Sequence, residues 1–210
     1  MKDYLKTFVL SIAAGFCIGI GGTVYLLCSS KLLGAFLFAV GLCTILLFGF
    51  KLFTGMTGYI FDNKPSYLIS IVIVWVGNYI GTLVTGLLMR QTRVGDIIVE
   101  SAKAVTSKKL DDSFISLFIL GIFCGIMMFI GVDCFKKNWQ NKDFAAIFMP
   151  VVCVAVFIIS SFEHCIADMF YFAAAGEIVQ GLPTLIVVTL GNTVGGVFFP
   201  LIKKISEKLS

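Results

Sequence analysis

From Leu32 to Phe61 the chain carries one charged residue, Lys51, before Asp62 follows. An apolar run of that length exceeds the roughly 20 helical residues that cross a hydrocarbon core, so it reads as a membrane span. A permanent charge at that depth is expensive and by default marks a function, most simply a place where a small anion passes. The rest of the chain agrees with a membrane setting. Hydrophobic residues make up 59% and charged residues 13%, with a mean hydropathy of +1.01, more apolar surface than a soluble domain of this size has use for.

Six spans are expected, at about 7–27, 32–61, 67–89, 114–135, 144–176 and 183–202, the second and fifth interrupted. Helices are the expected form, because a lipid-exposed backbone must satisfy its own hydrogen bonds and these runs far exceed a barrel strand. The first run lacks a small-residue cleavage site. Its Ala13, Ala14, Gly15, Gly19, Gly21 and Gly22 suit close helix packing instead.

An even number of spans puts both termini on one side, with Lys2, Lys6, Lys203, Lys204 and Lys208, joined by Lys64, Lys136, Lys137 and Lys142 in two loops. Lys31, Arg90, Arg93, Lys103, Lys108 and Lys109 fall on the other side. The excess makes the terminal side cytoplasmic and the protein a multi-pass protein of the cell (inner) membrane. The net charge of +4 is therefore a topology signal, and a nucleic-acid partner is not indicated. Seven cysteines, nearly all within spans and without CxxC pairs, read as packing residues, so neither a metal nor a cofactor is expected. The segment 90–113 mixes both charges with Ile97, Ile98, Ala102 and Val105 at helical spacing, which fits a short helix lying on the outer surface.

The chain reads as one channel-like domain, 1–210, of two related halves: about 7–89 and 114–202, joined by the outer segment 90–113. Gly77-Asn78-x-x-Gly81 in the third span is echoed by Gly191-Asn192-x-x-Gly195 in the sixth, and Phe50-Lys51 lines up with Phe162-Glu163 at a nearly equal offset. Three spans per half force the halves to be inverted. The interruptions, at 49–55 and 160–169, then correspond. Both place polar or ionisable residues in mid-span, the signature of a broken helix beside protein or a water-filled cavity.

Lys-Leu-Phe-Thr-Gly at 51–55, Phe-Glu-His-Cys-Ile-Ala-Asp-Met at 162–169, the glycines of span one and the paired Gly-Asn-x-x-Gly segments resemble the formate/nitrite transporter family of pentameric, aquaporin-like anion channels. The resemblance covers nearly the whole chain. It implies an all-α membrane protein of six transmembrane helices as two inverted three-helix repeats, with helices two and five broken, assembled as a homopentamer with a pore in each protomer. Lys51 stands where formate and nitrite members usually carry glutamate, which is similar to the hydrosulfide ion channel branch. Asp168 and Gly125 stand where asparagine is common. By resemblance, His164 is the central histidine and Thr54 a hydroxyl facing it, with Asn78 and Asn192 supporting the breaks. Phe38, Leu42 and Phe157 fall at a cytoplasmic constriction, and Leu52 and Phe53 at an outer one.

An anion in a narrow apolar passage loses hydration at a cost of several kcal/mol, and fixed groups must replace the water. Lys51 offers charge, Thr54 a hydroxyl, His164 an imidazole N–H, and the half-helix N-termini free backbone N–H groups. The imidazole acts either as a fixed donor or as a proton relay for a weak-acid anion, and hydrosulfide suits the second. Glu163 is expected to be structural, bonded to loop amides or paired with Lys51, in which case the lysine's value to an anion is largely cancelled. Asp168 is expected to cap the second half-helix. A His164-Cys165-x-x-Asp168 metal site lacks a fourth ligand.

The expected function is passage of small monovalent anions, hydrosulfide first, with formate, nitrite and chloride as lesser passengers. A proton-coupled formate or nitrite transporter is the alternative. A thiol enzyme using Cys165 beside His164 is a third class.

Overall fold

The computed structural model describes residues 2–209. Among them there are helices and connecting turns and no strand. The helices are α1 (Lys2–Leu27), α2 (Lys31–Phe48), α3 (Phe53–Met56, continued by a 3₁₀ helix Thr57–Asp62), α4 (Tyr67–Arg90), α5 (Gly95–Leu110), α6 (Phe114–Asn138), α7 (Ala145–Ile159), α8 (Cys165–Ala175) and α9 (Ile178–Leu209). Five of these, α1, α2, α4, α6 and α9, are long and apolar enough to cross a membrane. α7 and α8 are shorter apolar helices. They flank the second interruption, as α2 and α3 flank the first.

Both interruptions form in the same way. Gly49 closes α2 at φ 69°, a left-handed conformation that glycine adopts without steric cost, and the next amide, Phe50 N–H, donates back to Ile45 O at 2.9 Å. After α7, Ser161 takes the left-handed position at φ 56° and Phe162 N–H donates to Phe157 O at 2.9 Å. The loops then reach sideways to the first helix of their own half: Lys51 N–H to Leu10 O and Glu163 N–H to Leu120 O, each at 3.3 Å.

Two buried asparagines tie the breaks down. Asn78 Oδ1 accepts from Phe53 N–H at 2.9 Å, while its amide donates to Ser11 O at 2.7 Å and Lys51 O at 2.9 Å. Asn192 Oδ1 accepts from Cys165 N–H at 2.9 Å, and its amide donates to Gly121 O at 2.8 Å and Glu163 O at 2.7 Å. Each asparagine thus satisfies the first amide of a half-helix and the carbonyl two residues before it, backbone groups that no water in the hydrocarbon core would satisfy. The glycines of the repeated motif serve the same purpose. A Cβ at Gly81 would collide with Ile12 O and one at Gly195 with Ile122 O, so α4 packs on α1, and α9 on α6, with backbones in contact.

α5 lies within the segment 90–113 where a short helix was expected, with Asp96, Ile97, Glu100, Lys103, Ser107 and Lys108 exposed. Ile98, Ala102 and Thr106 on one face are fully buried, and the helix packs against α8, α1, α4 and α9. Every residue of α8 is buried, so its surroundings are protein on all sides.

Candidate functional site

The two half-helices α3 and α8 begin next to each other, and their first residues supply the centre of the site. Thr54 Oγ1 and His164 Nε2 lie 2.9 Å apart, both essentially buried. His164 is the N-cap of α8: its Nδ1 accepts from Ala167 N–H at 3.1 Å. A neutral imidazole has one N–H, so this acceptor role puts the hydrogen on Nε2, which donates to Thr54 Oγ1. The Thr54 hydroxyl hydrogen is then free to turn toward another acceptor. The expected capping role of Asp168 is corrected here, because His164 holds that position and the Asp168 carboxylate points elsewhere.

The imidazole stacks on Phe157, with centroids 5.4 Å apart at 20°, and Phe157 meets Phe38 edge-on at 6.2 Å. Phe38, Leu42, Leu52, Phe53 and Phe157 are all buried. Their placement relative to the chain termini differs in part from the expected one. Leu52 and Leu42 line a cavity of about 160 Å³ shared with Lys51 and Lys136. Lys136 sits 3.5 Å above the Tyr59 ring, and the 3₁₀ segment carrying Tyr59 ends at Asp62, which pairs with Lys204 at 2.7 Å. Leu52 therefore faces the side of the termini, and Phe38 with Phe157 lies toward the opposite end. Leu42 lies on the side of the termini, where it was expected; Phe38 parts from it because α2 starts on the far side and only its last turns reach the cavity.

Lys51 makes no ion pair among the described residues, and its neighbour across the cavity is another lysine, Lys136. The pairing with Glu163 considered from the sequence is not formed. Glu163 instead binds Lys109, which also contacts Asp168 Oδ1 at 2.9 Å. Burial alone would lower the Lys109 pKa; the carboxylates of Asp168 and Glu163 outweigh it and hold the ammonium above the usual lysine value. Sequence reasoning missed this residue. The signal was available, since Lys109 continues the helical face of Ile98, Ala102 and Thr106.

Neither imidazole nitrogen faces the Cys165 sulfur, so the histidine does not serve as base for that thiol. No cluster of three or more metal-binding side chains occurs among the described residues.

Paired broken helices whose first turns converge on a buried Thr–His contact, set among apolar helices, define a membrane transport protein. The chain matches the model of the formate/nitrite transporter family over residues 1–204, and it belongs to that family. It is 28% identical to the formate channel FocA of Escherichia coli (strain K12), over 93% of this chain and 84% of the relative. It is 26% identical to the nitrite transporter NirC of Salmonella typhimurium (strain LT2), over 77% of this chain and 65% of the relative. Among solved structures, a pentameric formate channel with formate bound superposes with a TM-score of 0.83 at 28% identity, covering 100% of this chain and 99% of that one. These relatives are channels and transporters rather than enzymes.

Proposed function

We propose that the protein is an anion-selective channel that passes small monovalent anions through each protomer of a homopentamer, hydrosulfide first, with formate, nitrite and chloride as lesser passengers. The observation that carries this reading is the buried Thr54–His164 contact at the meeting of two half-helix N-termini, behind a cavity that presents Lys51 and Lys136. The lysines concentrate anions, the apolar rings of Phe38, Leu42, Leu52, Phe53 and Phe157 strip water, and the Thr54 hydroxyl and His164 N–H replace it. Cations meet a repulsive field. The relative described with formate bound supports small carboxylate passage, and the exchange of the family's usual glutamate for Lys51 supports preference for a compact anion.

In this reading the six spans are α1, α2–α3, α4, α6, α7–α8 and α9, arranged as two inverted three-helix repeats. The matching hydrogen bonds of Asn78 and Asn192 support that arrangement. The lysines at both termini and in the loops at 64 and 136–142 support cytoplasmic termini.

Side-by-side flux of hydrosulfide, formate and nitrite into proteoliposomes at two pH values tests the reading. Lys51→Glu is expected to alter relative permeabilities more than Thr54→Ala; unaltered ratios in the lysine variant would remove that charge from the mechanism. The relatives named nitrite transporters favour a second reading, a formate or nitrite secondary transporter, in which the titratable His164 would couple transport to protons. Reversal potentials under crossed chloride and pH gradients separate the two, since a channel follows the anion gradient alone.

A further inference from the structure

Behind the Thr54–His164 pair, three charged side chains share one buried space. Lys109 Nζ contacts both Glu163 and Asp168, and the Asp168 side chain is 1% exposed against 8% for Glu163. Asp168 uses Oδ1 on the lysine, whereas its Oδ2 is buried without a hydrogen-bond partner. One ammonium between two ionised carboxylates would leave a net negative charge in a site closed to water. The unmatched charge would fall on an oxygen that nothing solvates, an arrangement that low-dielectric surroundings do not tolerate. Two acids that crowd one site resolve this by keeping one proton between them.

The groups around the pair offer no second cation. Lys109 comes from α5, Cys124 from α6, Cys165 and Tyr171 from α8, and Tyr25 of α1 lies beyond Tyr171. His164 turns its ring to Thr54 and Ala167.

We propose that Asp168 carries a proton in the conducting protein, making Lys109, Glu163 and Asp168 a neutral cluster with one exchangeable proton. Loss of that proton at alkaline pH places a negative charge behind His164 and Thr54 and opposes anion passage. Asp168 holds the proton rather than Glu163 because it is the more deeply buried and has the unpartnered oxygen. Aspartate, unlike asparagine, makes this position titratable. The effect on flux rests on the anion reading above, whereas the location of the proton does not.

The test is infrared spectroscopy of the full chain in liposomes, titrated from neutral to alkaline pH, with isotopically labelled aspartate in one sample and labelled glutamate in another. A protonated-carboxyl band that moves with the aspartate label, vanishes at high pH and is absent from Asp168→Asn is expected. Absence of such a band, or its movement with the glutamate label, overturns the assignment whatever the flux. Formate flux over the same range, each protein normalised to its neutral-pH value, is expected to fall several-fold in the wild type and to stay level in Asp168→Asn. Matching profiles would overturn the coupling to passage. A protein that shows the band but passes no anion refutes the channel reading while leaving the proton site established.

Discussion

Asn192→Ala is the substitution whose cost the structure defines most directly. It removes the acceptor for Cys165 N–H and the donor to Glu163 O, both at the buried end of the break. The third partner, Gly121 O, lies inside α6 and keeps its helical amide. An orphaned buried backbone group costs about 1–3 kcal/mol, so two of them predict a loss of about 2–6 kcal/mol. Unfolding of the purified protein by denaturing detergent in mixed micelles, followed by loss of helical circular dichroism, measures it. Asn78→Ala should fall in the same range, because it orphans the corresponding Phe53 N–H and Lys51 O. Asn192→Asp keeps the acceptor but turns an oxygen toward two carbonyls, and should be no better than alanine. A shift in Asn192→Ala within the roughly 0.5 kcal/mol of an ordinary surface substitution would refute the claim that this amide holds the break together.

Lys109→Met leaves the buried Glu163 carboxylate without its cation and is expected to destabilise by about 3–5 kcal/mol; adding Glu163→Gln should recover part of the loss in the same unfolding assay. Gly195→Ala drives a methyl into Ile122 O, and overpacking of at least about 1–3 kcal/mol should appear as reduced yield and a lower unfolding midpoint. His164→Asn removes the titratable ring and is expected to change the pH dependence of formate flux, measured by stopped-flow in proteoliposomes. Cys165→Ser should keep flux, since that sulfur faces neither imidazole nitrogen.

Much of the architecture was legible before any coordinates. Breaks were expected at 49–55 and 160–169, and the chain leaves its helices at Gly49 and Ser160, with α3 and α8 starting at Phe53 and Cys165. The Asn78 and Asn192 echoes pointed to two halves of one plan, and each asparagine makes the same kind of backbone bonds within its own half of the chain. The environment of Asp168 was not legible, nor was the side of the bundle that Leu52 faces. Both depend on how α2, α5 and α8 pack, which local composition does not encode.

The chain's own order of residues determined its membrane character, the positions of its breaks and the identity of the polar groups held there, because apolar run length, glycine conformational freedom and the need to satisfy broken-helix amides are local constraints. Only the tertiary structure decided which charges neutralise one another. Lys51 and Lys109 are alike as letters, yet one is left beside Lys136 at a cavity and the other is enclosed by Glu163 and Asp168. A lysine's partner is set by the geometry of approach between helices distant in sequence, and at membrane depth that geometry separates a charge available to an ion from one consumed by the protein.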